Sequence, residues 1–167
     1  MSSTTDLQLF LLRHADAGDP AAWSGDDDDR PLSDKGELQA ERLGTFLAGI
    51  GFSVDAVRSS PKVRARRTAE IVADAIGAHV QLDDRLGSGC GPATVDAIVA
   101  DAGDARRVLL AGHDPDFSEL LAWLSGSDRL TMKKGEFARL DVKGRVADGR
   151  ARLRWLMPPD LLDPNRR

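Results

Sequence analysis

Cysteine is almost missing from this chain: Cys90 is the single one in 167 residues. That excludes an internal disulfide and a cysteine-built zinc site. Long apolar runs are missing as well. None approaches the roughly 20 residues needed to span a bilayer. A basic excess is absent, since the net charge is −4. A nucleic-acid surface is therefore not expected, and neither is a membrane partner. The start, "MSSTTD", carries no basic segment and no apolar stretch of the signal type, so the expected location is the cytoplasm. Neither an internal repeat nor a linker is visible.

What is present fits one globular domain over residues 1–167, with a core from about 7 to 158. Hydrophobic residues make up 41% and charged residues 30%, a balance that supports a folded core. The tail "PPDLLDPNRR" is rich in proline and is expected to be loosely held.

Short apolar runs alternate with helical patterns. Leu7–Leu12 reads as a strand. Ser33 caps a helix whose apolar positions are Leu38, Leu43, Phe46, Leu47 and Ile50. Val54–Ser59 reads as a second strand, and Ser60-Pro61 as the cap and first residue of a helix with Ala65, Ala69, Val72 and Ile76 on one face. "HVQL" is a third strand; a glycine-rich loop then leads to a short helix around Val95–Asp101. "RVLLAG", Arg107–Gly112, is the strongest buried-strand signal, and Asp114 or the Pro115 turn opens the next helix. "GEFARLDV" and "ARLRWLM" read as two adjacent strands. Strand–helix alternation predicts an α/β three-layer sandwich: a mostly parallel central sheet, helices on both faces, and the last two strands antiparallel at an edge.

In such sheets ligands bind outside the carboxyl ends of the strands. Three polar groups fall at such ends. Arg13 and His14 follow the first strand, "SSPKVRARRT" follows the second and puts Arg64 in a helix's first turn, and His113 follows "RVLLAG". The set suits a phosphoryl group. Arginine's planar fork matches phosphate oxygens, and a helix N-terminus favours an anion. A neutral imidazole is a competent nucleophile near pH 7, and a second, protonated one can donate to a developing oxyanion.

These blocks carry a family resemblance. "LLRHADA", "SSPKVRARRTAEIVA" and "VLLAGHDPDFSELL" resemble the three signature blocks of the histidine phosphatase, or phosphoglycerate mutase-like, superfamily. The block "RPLSDKGELQA" and the "GHDP" turn look most like its small SixA-type phosphohistidine phosphatases. The resemblance implies that His14 attacks phosphorus and becomes phosphohistidine, while Arg13, Arg64 and His113 surround the phosphoryl oxygens. It implies a phosphatase with no cofactor and no metal. Its substrate would be phosphohistidine on a protein or, failing that, a small phosphate ester; a non-catalytic phosphate-binding module is the remaining alternative.

Where the family has Arg-His-Gly, this chain has Ala15, which calls for ordinary backbone angles. The family's glutamate after the third strand is absent. Asp83 and Asp84 stand there, Asp114 follows the late histidine, Asp16 follows the early one, and the general acid is left open among them. Imidazole is a weakly basic leaving group, so a phosphohistidine substrate needs a dedicated acid less than an alkyl ester does. The acidic run Asp26–Asp29 is expected to be a solvated loop held away from the pocket, because it would repel an anionic substrate. Lys133 and Lys134 are candidates for the pocket rim, and Trp23 for a substrate groove.

Overall fold

The structure, a computed structural model, describes residues 6–166. Its centre is a six-stranded sheet. The strands are β1 (Leu7–Arg13), β2 (Ala56–Ser59), β3 (Val80–Leu82), β4 (Arg107–Gly112), β5 (Phe137–Val142) and β6 (Ala151–Met157), in the order β3-β2-β4-β1-β5-β6. The first four strands in that order pair in parallel, and β5 and β6 add antiparallel at one side. The helices are α1 (Asp34–Gly49), α2 (Val63–Ile76), α3 (Pro92–Asp101) and α4 (Asp116–Ser125).

β1 and β4 read as unbroken apolar runs because both of their faces are covered. Leu9 and Leu11 of β1, with Val108 and Leu110 of β4, pack under Val95 and Ile98 of α3 and Phe117 and Leu120 of α4. Phe10 and Leu12, with Leu109 and Ala111, face Leu43 and Leu47 of α1 and Ala69 and Val72 of α2. The expected α/β sandwich with helices on both faces is the observed one.

Three local expectations need correction. In α1 the buried positions are Gly36, Ala40, Leu43, Gly44 and Leu47, whereas Leu38, Phe46 and Ile50 are exposed. The small residues face inward because α1 lies close to its neighbours. A Cβ on Gly36 would stand 1.9 Å from the Asp16 carbonyl oxygen. Secondly, α2 begins at Val63 with Lys62 as its cap residue, not at Ser60-Pro61. Thirdly, the tail from Pro159 is docked. Leu162 packs against the α1–α2 side of the core, and Asp163 pairs with Arg42 of α1 at 3.4 Å. Residues 1–5 and 167, and with them the "MSSTT" start, lie outside the described residues.

Candidate active site

The parallel register brings three strand ends side by side. Arg13 of β1 stands opposite Gly112 of β4, and Ser59 of β2 opposite Ala111. The residues just past these ends are therefore neighbours. His14 N–H donates to Gly112 O at 3.0 Å, and Ser60 N–H donates to Ala111 O at 3.0 Å. His14 O accepts from Gly135 N–H at 2.9 Å, which fixes the loop from the other side. Gly112 is required by close approach, since a Cβ there would meet the Phe117 ring at 2.7 Å. Phe117 thus packs beneath the strand end that carries His113.

Four of the sequence-derived site residues converge. The His14 and His113 rings lie 5.3 Å apart, centroid to centroid. Both histidines and Arg64 are buried, and Arg13 is partly buried. His14 Nδ1 lies 2.8 Å from Ala15 O, an acceptor only, so Nδ1 carries the proton and Nε2 keeps its lone pair. Ala15 has no positive φ, in line with its replacing glycine. Thr68 of α2 ties this segment down: its Oγ accepts from Ala15 N–H at 3.1 Å and donates to Arg64 O at 2.7 Å.

Ser60 was misread as a helix cap. Its hydroxyl sits 2.7 Å from His113 Nε2 and accepts from Lys62 N–H at 3.2 Å. With Lys62 N–H filling one acceptor site of the hydroxyl, the contact fits the tautomer in which Ser60 donates to Nε2 and His113 carries its proton on Nδ1. That Nδ1 is buried without a partner, and so are Arg13 Nε and Arg64 Nε. Buried donors with no acceptor are costly. Three of them belonging to one cluster mark a place built for an anion.

Arg13 is braced by Asp114 at 3.1 Å and by Met132 O at 2.5 Å. Burial, followed by the charges of Arg64 and Arg13, lowers the His14 pKa to about 4 despite the Ala15 carbonyl. Burial, then His14 and the charges of Arg64 and Lys62, lowers His113 to about 3. Burial thus favours a neutral His113 near pH 7, able to donate through its N–H, where a protonated donor was expected.

These shifts carry a consequence for stability. Below pH 6.5 the unfolded chain takes up protons that the fold refuses. The contribution is fully present above pH 6.5 and falls as the pH drops toward 4 for His14 and 3 for His113. The slope reaches about 1.4 kcal/mol per pH unit for each histidine. A His14→Gln/His113→Gln variant is expected to lose less stability than the wild type between pH 7 and 4.5, measured by urea midpoints. Parallel curves would refute the shifts.

Three of the four candidate acids are held by partners. Asp16 accepts from Ser33 Oγ at 2.7 Å, which heads the causes holding its carboxyl below the ordinary range. Asp83 is fixed by Arg85 at 2.6 Å and is lowered by it. Asp114 is shared between Arg13 and Ser118, whose Oγ donates to it at 2.7 Å. Asp84 is exposed in the turn after β3. The acidic run is exposed, as expected, but it is not held away from the site: Asp27 is paired with Arg64 at 3.0 Å, and Asp28 with Lys62 at 3.0 Å. The repulsion argument failed because Arg30, Arg64 and Lys62 pair with Asp27 and Asp28 and so offset part of the run's charge. An open cleft of about 870 Å³ adjoins the site through Arg13 and is lined by Asp16, Leu38, Gln39, Lys133 and Lys134 among others. The lysines therefore lie at the rim. Trp23 lies elsewhere, beside Ala17 and Leu32, with its Nε1–H donating to Asp26 O at 2.9 Å. Among the described residues no group of three or more His, Cys, Asp or Glu side chains is placed to hold a metal ion, and no helix is long and apolar enough to cross a membrane.

The fold and this edge define an α/β protein with two histidines and two arginines gathered at the carboxyl ends of its parallel strands. Residues 9–88 match the model of the histidine phosphatase superfamily, branch 1. A Picosynechococcus protein is 32% identical over 137 residues, covering 77% of this chain and 81% of its own. The probable phosphoglycerate mutase GpmB of Erwinia tasmaniensis is 41% identical over 81 residues, but the match spans only 37% of that protein. Among solved structures, the protein from Nakamurella multipartitia described as phosphohistidine phosphatase SixA superposes with a TM-score of 0.74 at 30% identity, over 92% of this chain and 96% of the other. Its counterpart from Agrobacterium tumefaciens gives 0.76 at 26%, over 92% and 98%. The chain belongs to the histidine phosphatase superfamily and is a phosphatase with a SixA-like fold.

Proposed function

We propose that this phosphatase hydrolyses phosphohistidine on a protein, through a covalent intermediate on His14. One observation carries the reading: a histidine with its Nε2 lone pair free belongs to a cluster of three buried, unpartnered N–H donors, on Arg13, Arg64 and His113. His14 Nε2 forms the new bond to phosphorus while the substrate's P–N bond breaks, its electron pair staying on the departing nitrogen. An imidazole protonated on its far nitrogen then leaves as a neutral molecule. Phosphorylated His14 is a cation with its proton on Nδ1, and the Ala15 carbonyl oxygen at 2.8 Å stabilises that charge. Water attacks phosphorus, the N–P bond breaks back onto Nε2, and dihydrogen phosphate departs. Arg13, Arg64 and His113 donate to the equatorial oxygens in both steps.

Two features support phosphohistidine over an alkyl ester. Three of the four candidate carboxylates are held by partners, so none of those three is poised as a proton donor for a basic alkoxide. The cleft beside Arg13 is open, which suits a side chain presented by another protein. Comparing kcat/KM in EDTA for a phosphohistidine peptide, a phosphohistidine carrier protein, a phosphoserine peptide and sugar phosphates tests this. A phosphohistidine substrate is expected to lead. If a small phosphomonoester leads by more than about tenfold, roughly 1.4 kcal/mol of transition-state stabilisation, the enzyme is a small-molecule phosphomonoesterase. Loss of all turnover in EDTA, restored by a divalent ion, would overturn metal independence.

A further inference from the structure

The acidic run Asp26–Asp29 is not used by the chemistry above, yet it is tied to the site by three cations. Asp27 Oδ1 accepts from Arg30 Nε at 2.9 Å and Oδ2 from Arg64 Nη2 at 3.0 Å. The Asp27 carbonyl oxygen accepts from Arg64 Nη1 at 2.6 Å. Arg30 is itself buried and donates from Nη1 to Ala17 O at 2.6 Å. Lys62 holds the next residue, Asp28, at 3.0 Å.

These contacts divide the Arg64 guanidinium into two edges. The outer edge, Nη1 and Nη2, is gripped by Asp27. The Nε–H on the remaining side is buried and unpartnered. An arginine side chain has many rotamers, so a free Arg64 would sample many orientations. We propose that Asp27 is a positioning residue: it holds the outer edge of Arg64 so that the Nε–Nη2 edge faces the transferring phosphoryl group. This rests on the reading of Arg64 as a phosphoryl ligand. A carboxylate that merely filled the anion site would bind Arg64 Nε or His113 Nδ1. Asp27 binds neither. Its carboxyl is lowered first by Arg30 and also by Arg64, so it stays charged while the enzyme works.

Positioning and blocking have opposite kinetic signs. With a phosphohistidine peptide as substrate, Asp27→Ala is expected to lower kcat about tenfold with KM within about threefold of wild type. Asp27→Asn, which keeps one acceptor, should fall between. Asp29→Asn removes the same charge from a residue without an ion pair among the described residues, and should behave as wild type. In an Arg64→Ala background, Asp27→Ala should cost nothing further, since coupled residues are not additive. An unchanged kcat, a raised kcat/KM, or the same loss in both backgrounds overturns the proposal. If Arg64→Ala is impaired and Asp27→Ala is not, only this inference fails. If Arg64→Ala is fully active, the reading of the site fails with it.

Discussion

Replacing His14 with alanine is expected to lower turnover by roughly four to six orders of magnitude while the protein stays folded, as loss of a covalent nucleophile does. The fold should survive because the ring's recorded hydrogen bond is to the adjacent Ala15 carbonyl. Removing the ring also removes a group whose charged form is disfavoured by burial and three nearby cations. The strand-end anchors, His14 N–H to Gly112 O and Gly135 N–H to His14 O, are backbone bonds and remain. Wild-type enzyme quenched during turnover should carry acid-labile phosphate on His14, and the variant none. The acid limb of the rate should lie near pH 4, where His14 takes up its proton, not near the ordinary 6.5. Label on another residue, or near-normal turnover in His14→Ala, would overturn the assignment.

The sheet was legible because its central strands are apolar on both faces. "LQLFLL" and "RVLLAG" needed no alternation to be recognised, and both run as expected. The site was legible because parallel strands put their carboxyl ends on one edge; Arg13, His14, Arg64 and His113 could be grouped from chain order alone. What sequence missed depends on side-chain geometry across loops. Ser60-Pro61 has the letters of a helix start, but the strand end bends, and the hydroxyl goes to His113. The buried face of α1 was misread because hydrophobicity was taken as the signal where close approach mattered. Gly44 faces α2 with room for no more, since its Cβ would meet that of Ala75 at 2.8 Å. The acidic run is solvated as a charge run should be, but the repulsion argument for keeping it from the pocket missed that Arg30, Arg64 and Lys62 each supply it a partner. A three-residue 3₁₀ turn, Asp27–Asp29, places them, and no periodicity announces it.

Arg64→Ala is expected to cost 100-fold or more in rate, about 2.7–4 kcal/mol, the usual loss for a preorganised donor at a developing oxyanion. The Nε–H has no protein partner, and the Nη1 and Nη2 bonds go to Asp27 in an exposed turn, so the variant should keep the core folded. Its removal has a second effect. Asp27 then keeps Arg30 but loses its pocket-side partner, and its charge repels an incoming phosphoryl group. Arg64→Lys should not restore activity. A lysine ammonium is a point charge and cannot hold Asp27 on one edge while presenting two parallel donors on another. The pH profile provides an independent check. Arg64 is among the causes lowering both histidines, so its loss must move both pKa values upward. Protonation of His14 then competes with nucleophilic attack at a higher pH. The acid limb of kcat/KM in Arg64→Ala should shift upward from about 4 toward the ordinary 6.5. A variant that merely loosened the fold would lower the plateau and broaden the thermal transition without moving that limb in a defined direction. Full activity in Arg64→Ala, or an acid limb moved downward, would place this arginine outside the phosphoryl pocket.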